Sequence, residues 1–240
     1  MDVPKVDLSN ADDVVREVME DDNWVKEEFF KHLGDELKVL AQKLAACYQM
    51  LPRLNEAADR AQTEQAALVV GFAYGVLDDI LVSTKLLFAG KLMPAGNLMR
   101  QAAEGIAVAV LCVSRDLLIL DQPKGGPVPA RYYEKMLADD PRTEGHKAIG
   151  QLSWNRTTLG VSEGGVKGLK RARDRYNAFS HTGKFAIAAR VALGKEGQVY
   201  AGGHFDVDKV EGYRIELAER IALSEVLPNF FEVLTFRLDR

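Results

Sequence analysis

Apolar residues in the first half of the chain recur at a spacing that is typical of α-helices. They do so over residues 24–47 and again in two strongly apolar segments, at about 56–87 and 95–118. Pro52 predicts an interruption after the first segment, and Gly90 occupies the usual left-handed stop position after the second. Because these helices are apolar on most of their faces, we expect them to form the centre of a bundle.

The rest of the chain predicts shorter elements around this centre. Residues 9–12 resemble an N-cap that opens a short helix, and residues 121–127 are typical of a loop. The apolar period changes over 185–193 and 198–201, which predicts a β-hairpin with its turn at 194–197. Further helices are predicted at about 129–138, 142–152, 164–181 and 210–234.

These elements predict an all-α fold, a helical bundle with a small β-hairpin inserted before the last helix. The loop at 121–127 is short, and helical patterns continue on both sides of it. We therefore expect a single domain over residues 1–240, with residues 1–22 as a peripheral N-terminal segment.

Composition is that of a soluble globular protein, with 47 % hydrophobic and 28 % charged residues. The two cysteines lie far apart in the sequence, which argues against a disulfide scaffold and fits a reducing cytoplasm. Asp78, Asp79 and Glu104 interrupt the most apolar stretches, so we expect no membrane span. The expected localisation is cytoplasmic.

Charge is distributed unevenly along the chain. Residues 1–40 contain twelve acids and five bases, whereas residues 141–190 contain ten Lys and Arg and three acids. A basic segment on an acidic protein favours an anionic partner, because solubility alone does not require it. The candidate nucleic-acid-binding residues in this segment are Lys170, Arg171, Arg173 and Lys184.

Several common metal and phosphate motifs are absent from the sequence. None of the four histidines belongs to a His-Glu-x-x-His or Glu-x-x-His pattern, and no Gly-Lys-Ser/Thr phosphate loop occurs. His204, Asp206 and Asp208 alternate in a way that metal ligands can, but a solvated turn explains them as well. We predict no metal and no cofactor.

The end of the basic helix carries a set of groups suited to phosphodiester chemistry. Asn177 and His181 are four residues apart and would be neighbours on one helix face, and Arg175 lies about 120° around the helix from His181. Histidine can move protons to and from the attacking 2′-hydroxyl and the leaving oxygen, while arginine stabilises the charge on phosphorus. Such chemistry needs no metal.

This helix resembles the signature helix of the HEPN superfamily, in which an Arg precedes a His by four to six residues. Here the segment reads Arg-Tyr-Asn-Ala-Phe-Ser-His over 175–181. A second segment, 97–104, contains an Arg-x-x-x-Glu and resembles the corresponding helix of abortive-infection-type proteins of that superfamily. The resemblance extends in outline over about residues 24–237.

The resemblance implies a helical-bundle homodimer that brings two signature helices together. It also implies metal-independent RNA cleavage in a toxin–antitoxin or phage-defence setting, with an antitoxin or sensor protein as a partner. Carried over to this sequence, Arg175 and His181 are catalytic and Asn177 assists.

Other residues have both a structural and a functional interpretation. Arg100 and Glu104 are spaced to form an ion pair inside the bundle, or Glu104 orients Arg175 or His181 behind the site. The aromatic residues Tyr132, Tyr133 and Trp154 either stack on RNA bases or pack in the core.

Two alternative functions compete with the endonuclease hypothesis. The first is a non-catalytic interaction module of the same fold that binds a protein or nucleic acid. The second is a bundle that binds a metal or a small molecule through Asp78, Asp79 and Glu104.

Overall fold

Helices account for most of the chain in the computed structural model, which describes residues 7–194 and 198–240. The predicted all-α fold with a small hairpin is confirmed. The α-helices are α1 (Ala11–Met19), α2 (Asn23–Tyr48), α3 (Leu51–Ala61), α4 (Glu64–Phe88), α5 (Leu92–Cys112), α6 (Tyr132–Leu137), α7 (Gly145–Trp154), α8 (Arg156–Leu159), α9 (Glu163–Asn177), α10 (Lys184–Arg190) and α11 (Val210–Leu238). The strands are β1 (Leu118–Asp121) and β2 (Val128–Ala130).

The antiparallel pair α4 and α5 forms the centre of the bundle. Helix α5 is rich in alanine, and these small side chains allow neighbouring helices to approach closely on several sides. It contacts α4 on one side and α7 and α9 on others, while α11 packs across α2 and α3. Helix α9 is therefore attached to the bundle mainly through α5.

The predicted helix over 56–87 is in fact two helices. Gln62 adopts a left-handed conformation with φ of 50°, and the Thr63 hydroxyl accepts a hydrogen bond from the Ala66 amide at 3.2 Å. This N-cap starts α4 in a new direction. The prediction placed no break here because the apolar pattern runs through it. At the other end of α4, Gly90 has the predicted positive φ, 71°.

The predicted β-hairpin lies in a different part of the chain. The segment predicted as its first strand, 185–193, is largely helix α10, because the buried positions are Ala186 and Ala189, three residues apart, rather than alternate residues. A single bridge between Val191 and Val199 is all that pairs among the described residues there, and the predicted turn residues 195–197 lie outside them. The antiparallel pair is β1 and β2, on either side of the predicted loop.

Strand β1 is held against the bundle by two amides of the α7 region. Asn155 accepts a hydrogen bond from the Ile119 amide at 2.8 Å and donates to the Ile119 carbonyl at 2.9 Å. Gln151 donates to the Leu120 carbonyl at 2.8 Å. These bonds replace the second neighbour that a two-stranded sheet lacks.

Helix α4 is long and apolar enough to cross a membrane on length and composition alone. Within its most apolar window of 18 residues, 39 % of the residues are buried in the bundle. A core helix of a soluble protein passes the same test. More important for this molecule is that much of this apolar helix is not covered by the described chain.

Candidate active site at the end of the basic helix

The basic helix α9 ends four residues earlier than the sequence predicts. Its last residue is Asn177, and the chain then turns through Ala178 and Phe179, so that His181 lies in a bend and is exposed. The expected placement of Asn177 and His181 on one helix face is therefore wrong. The ring of Phe179 in this turn is buried.

The segment after α9 is fastened to the first turns of α5. The ring of Phe179 lies directly on Gly96, where a β-carbon would overlap it. The Ser180 hydroxyl donates a hydrogen bond to the Asn97 side chain at 2.8 Å. The two segments that carry the HEPN resemblance thus meet in space, through Gly96 and Asn97.

Arg175 belongs to a buried ionic network that connects α9, α11 and α4. Its Nη2 donates to Oε1 of Glu216 at 2.6 Å, and Arg220 donates to Oε2 of the same carboxylate at 3.3 Å. Arg220 also donates to the hydroxyl of Ser83 on α4 at 2.7 Å. Glu216 and Arg220 are buried, whereas 34 % of the Arg175 side chain is exposed. The carboxylate therefore fixes a guanidinium whose outer part reaches the surface.

The network leaves several donors without a partner. Among the described residues, Nε of Arg175, Nε of Arg220 and the phenol of Tyr176 are buried and make no hydrogen bond. Burial raises the pKa of the Tyr176 phenol. Two guanidinium groups share the Glu216 carboxylate, and the nearby Glu219 carboxylate also acts on Arg175.

Glu104 does not orient the basic helix. Its carboxylate accepts a hydrogen bond from Nε of Arg100 at 2.8 Å, which is the ion pair expected within one helix. Its other oxygen faces Gly145 at the start of α7, where a negative charge is favourable. The carboxylate that holds Arg175 is Glu216. The supporting role predicted for Glu104 and Arg100 is therefore wrong.

The four residues expected to bind RNA differ in how free they are. Lys170 donates to the Ser153 hydroxyl at 2.8 Å, and Arg173 is paired with Asp174 at 2.8 Å. Arg171 and Lys184 are exposed and form no ion pair within the part of the chain that the structure describes. The freely available positive charge of α9 is therefore smaller than its composition indicates.

The aromatic candidates divide between core and surface. Tyr132 is buried, and its phenol donates to the Thr143 carbonyl at 3.3 Å, so it packs rather than stacks on a ligand. Trp154 is 43 % exposed and directly follows Ser153, the partner of Lys170. An exposed indole next to a lysine is a suitable platform for a base.

Residues considered for a metal site are used otherwise. His204 is buried, stacks on Tyr200 with ring centroids 4.0 Å apart, and has a pKa lowered to about 4, mainly by burial. Asp206 accepts hydrogen bonds from the Leu193 and Asp208 amides. Within residues 7–194 and 198–240, no cluster of three or more potential metal ligands occurs. Asp78, Asp79 and Glu104 therefore do not form such a cluster.

Glu216, Arg220 and Ser83 are the site residues that sequence reasoning missed. They lie 41, 45 and 92 positions from Arg175, and only the packing of α11 and α4 against α9 brings them together. The spacing of Glu216 and Arg220, four residues apart on α11, is the signal that the sequence offered.

No protein-family model, curated protein or solved structure matches the chain. The resemblance to HEPN proteins therefore rests on the residues of α9 and α5 alone.

Proposed function

We propose that this protein is a metal-independent RNA endonuclease that acts through Arg175 and His181 at the end of α9. One observation carries the proposal. Arg175 is held by the buried Glu216 at 2.6 Å while a third of its side chain, 34 %, faces solvent. A guanidinium fixed in this way loses little freedom when it binds a phosphate, so it is well prepared to stabilise a transition state.

Substrate binding is assigned to the surface around this end of α9. Arg171 and Lys184 supply free positive charge for the phosphate backbone, and Trp154 supplies a stacking surface. Lys170 and Arg173 contribute after exchanging their present partners for phosphate. Binding of this kind is salt-sensitive and only weakly dependent on sequence.

The reaction that fits these groups is transesterification by the neighbouring 2′-hydroxyl. His181 accepts the proton of the 2′-hydroxyl as its oxygen attacks phosphorus, and Arg175 stabilises the negative charge that develops on the phosphoryl oxygens. The bond from phosphorus to the 5′-oxygen breaks, and that oxygen takes up a proton. The products are a 2′,3′-cyclic phosphate and a 5′-hydroxyl end.

A homodimer would supply a second His181 to protonate the leaving oxygen, as the resemblance implies. The same resemblance places the protein in a cytoplasmic toxin–antitoxin or phage-defence setting, with an antitoxin or sensor protein as its regulator. Asn177, which is half-buried at the end of α9, is assigned to substrate orientation.

The second candidate function is a non-catalytic module that binds nucleic acid or a protein. It is favoured by the fact that Arg175 already has a carboxylate partner and that its Nε is buried. In that case the network only holds α9 in place, and the exposed cations bind without turnover.

The decisive experiment compares wild-type protein with His181→Ala and Arg175→Lys on fluorescently labelled single-stranded RNAs in EDTA. We expect cyclic-phosphate products from the wild type and a loss of at least about a hundredfold in each variant. Lys167→Ala is the matched control, because Lys167 lies on the same helix in an exposed pair with Glu163.

The outcomes separate the two candidates. Cleavage by both variants at the wild-type rate would rule out an endonuclease that acts through Arg175 and His181. Wild-type protein that shifts RNA in a gel at low salt, but leaves every RNA intact, would establish the binding module instead.

A further inference from the structure

A long apolar groove runs along the outer surface between α2 and α4. It has a volume of about 1090 Å³ and extends along α2 from Asn23 to Tyr48. Its walls include large exposed apolar side chains, with Phe30 exposed by 52 % and Leu81 by 40 %. Nothing in the described chain fills it, although α4 is one of the most apolar helices of the bundle.

Helix α1 also has an exposed apolar face, because no part of the chain that the structure describes covers it. Val14, Val15, Val18 and Met19 form one side of this helix and are exposed by 39 %, 62 %, 76 % and 77 %. No residue of α1 is buried. The helix is nevertheless well made, since Asn10 caps it by accepting a hydrogen bond from the Asp12 amide at 2.9 Å. An amphipathic helix of this kind normally rests on a partner.

Within one chain, α1 and the residues after it are tethered to the loop that contains Gly202 and to the turn after α4. Glu17 lies against Gly202, and Asp22 is bound to Lys91 at 2.7 Å. The loop that contains Gly202 continues to Phe205, whose ring stacks on His32. His32 and the groove residue Phe30 are about 200° apart around α2, on nearly opposite faces. The loop that tethers α1 therefore packs on the face of α2 opposite to Phe30.

Charge and size match α1 to the groove of another molecule. Residues 7–22 contain seven acids and one base, whereas Lys26, Lys31 and Lys85 line the groove with Glu27 as its acid. Nine residues of helix measure about 14 Å, so α1 occupies less than half of the length of α2 that lines the groove. The acidic polar face of α1 would lie towards the lysines while its valines enter the apolar floor.

We propose that α1 of one molecule docks into the α2–α4 groove of a second copy, and that the exchange is reciprocal in a two-fold dimer. Such an exchange buries the apolar face of α1 and the apolar α2–α4 groove against each other. The two-fold symmetry of the dimer repeats this interface. Residues of α9 do not line the groove. The proposal therefore does not depend on RNA cleavage, and either can fail without the other.

Disulfide trapping between two different full-length variants tests the exchange directly. Val18→Cys is placed on the apolar face of α1 and Leu81→Cys in the groove. The natural Cys47 and Cys112 are buried and have pKa values raised to about 11 and about 12 by burial, so they react slowly. A mixture of the two variants, oxidised gently, should give a disulfide-linked pair that a thiol reductant separates.

The matched control replaces Leu81→Cys by Leu117→Cys, which is 66 % exposed and outside the groove. We expect no linked pair from that mixture. Equal linking of both mixtures, or no linking of either, overturns the proposal. Linking that occurs only within one chain carrying both Val18→Cys and Leu81→Cys also overturns it, because α1 then fills its own groove.

Light scattering after size exclusion provides the second measurement. The wild type should have twice the mass of the chain, and Val15→Glu combined with Val18→Glu should shift it to the mass of one chain with unchanged helicity. A wild type of single-chain mass whose groove takes up dodecanoate would contradict the exchange and identify a site for anionic amphiphiles.

Discussion

The ring of Phe179 lies on Gly96 so closely that no β-carbon fits between them. This contact, together with the hydrogen bond from Ser180 to Asn97, sets where the chain leaves α9 and hence where His181 lies. A glycine near the start of α5 thus determines the geometry of a segment that follows it by more than eighty residues.

Gly96→Ala should therefore disturb both stability and function. Forcing a methyl group under Phe179 should cost about 2 kcal/mol of unfolding free energy, because a packed ring must move. We also expect RNA cleavage to fall, since the bend that carries His181 is displaced. Urea denaturation and the RNA assay measure the two effects.

Gly71→Ala is the matched control, because Gly71 lies within α4 and nothing is found within 4 Å of its added β-carbon. That variant should gain up to about 1 kcal/mol from helix propensity. Destabilisation of both variants by similar amounts would show that steric overlap with Phe179 is not the cause.

The buried network should respond differently to the loss of its acid and of one base. Glu216→Gln leaves two guanidinium groups without a carboxylate, and we expect it to destabilise the fold by about 3–5 kcal/mol. Arg220→Met leaves Arg175 paired with Glu216 one to one, so its cost should be smaller.

Chemical denaturation of the two variants measures this difference, with Lys167→Gln as a control whose exposed pair should contribute less than about 1 kcal/mol. An Arg220→Met variant that is less stable than Glu216→Gln would mean that Arg220 acts through packing rather than charge.

Asp79 should make the protein less stable as the pH rises. Burial, with the neighbouring Asp78, raises the pKa of the Asp79 carboxyl to about 6, above its unfolded value. The folded state therefore holds this proton more tightly, and stability falls between about pH 4 and pH 6. Because Asp79 is only half-buried, solvent screening reduces the effect to about 1 kcal/mol.

Asp79→Asn should remove this loss, so that it exceeds the wild type in stability above pH 6 and equals it near pH 3.5. Unfolding free energies over pH 3.5–8 measure the difference. A constant gain at all pH values would assign the effect to something other than titration.

His204 should act in the opposite direction over much of the same range. Its pKa is lowered to about 4, first by burial and then by the charge of Lys209, and the opposing effects of Asp206 and the Ala189 backbone are smaller. Its contribution is complete above the unfolded pKa near 6.5 and is lost as the pH falls towards 4. The loss should be about 2 kcal/mol.

His204→Phe keeps an aromatic ring on Tyr200 and removes the titrating group. We expect its stability to decline less on acidification than that of the wild type, whose two opposing titrations partly cancel. Thermal melts of the wild type and His204→Phe at pH 4.5 and pH 7.5 test this expectation. If Tm falls by the same amount in both proteins between pH 7.5 and pH 4.5, the assignment is refuted.

The sequence was sufficient to predict the long apolar helices. The pattern after residue 24 predicted α2, and the apolar segments predicted α4 and α5 with their turn at Gly90. Where a pattern runs through a local cap, as at Thr63, periodicity could not show the break. In α10 the buried face carries small residues. The larger residues on its exposed face led to the incorrect prediction of a strand there.

The site could be predicted only as far as it is local. The spacing of Arg175 and His181 was visible, but the end of α9 depends on Phe179 finding Gly96, and the partner of Arg175 is provided by a helix 41 residues away. Such pairings depend on how helices pack, which periodicity within one segment does not contain.

Helix α11 has a consequence for the order in which the protein is made. Residues of α2 near the N-terminus are buried largely against α11, and Glu216 and Arg220 belong to it as well. During translation, some 160 residues that follow α2 are synthesised before α11, which covers the apolar side of α2, begins to leave the ribosome. The nascent chain thus has neither a closed core nor a fixed Arg175 until α11 has been synthesised.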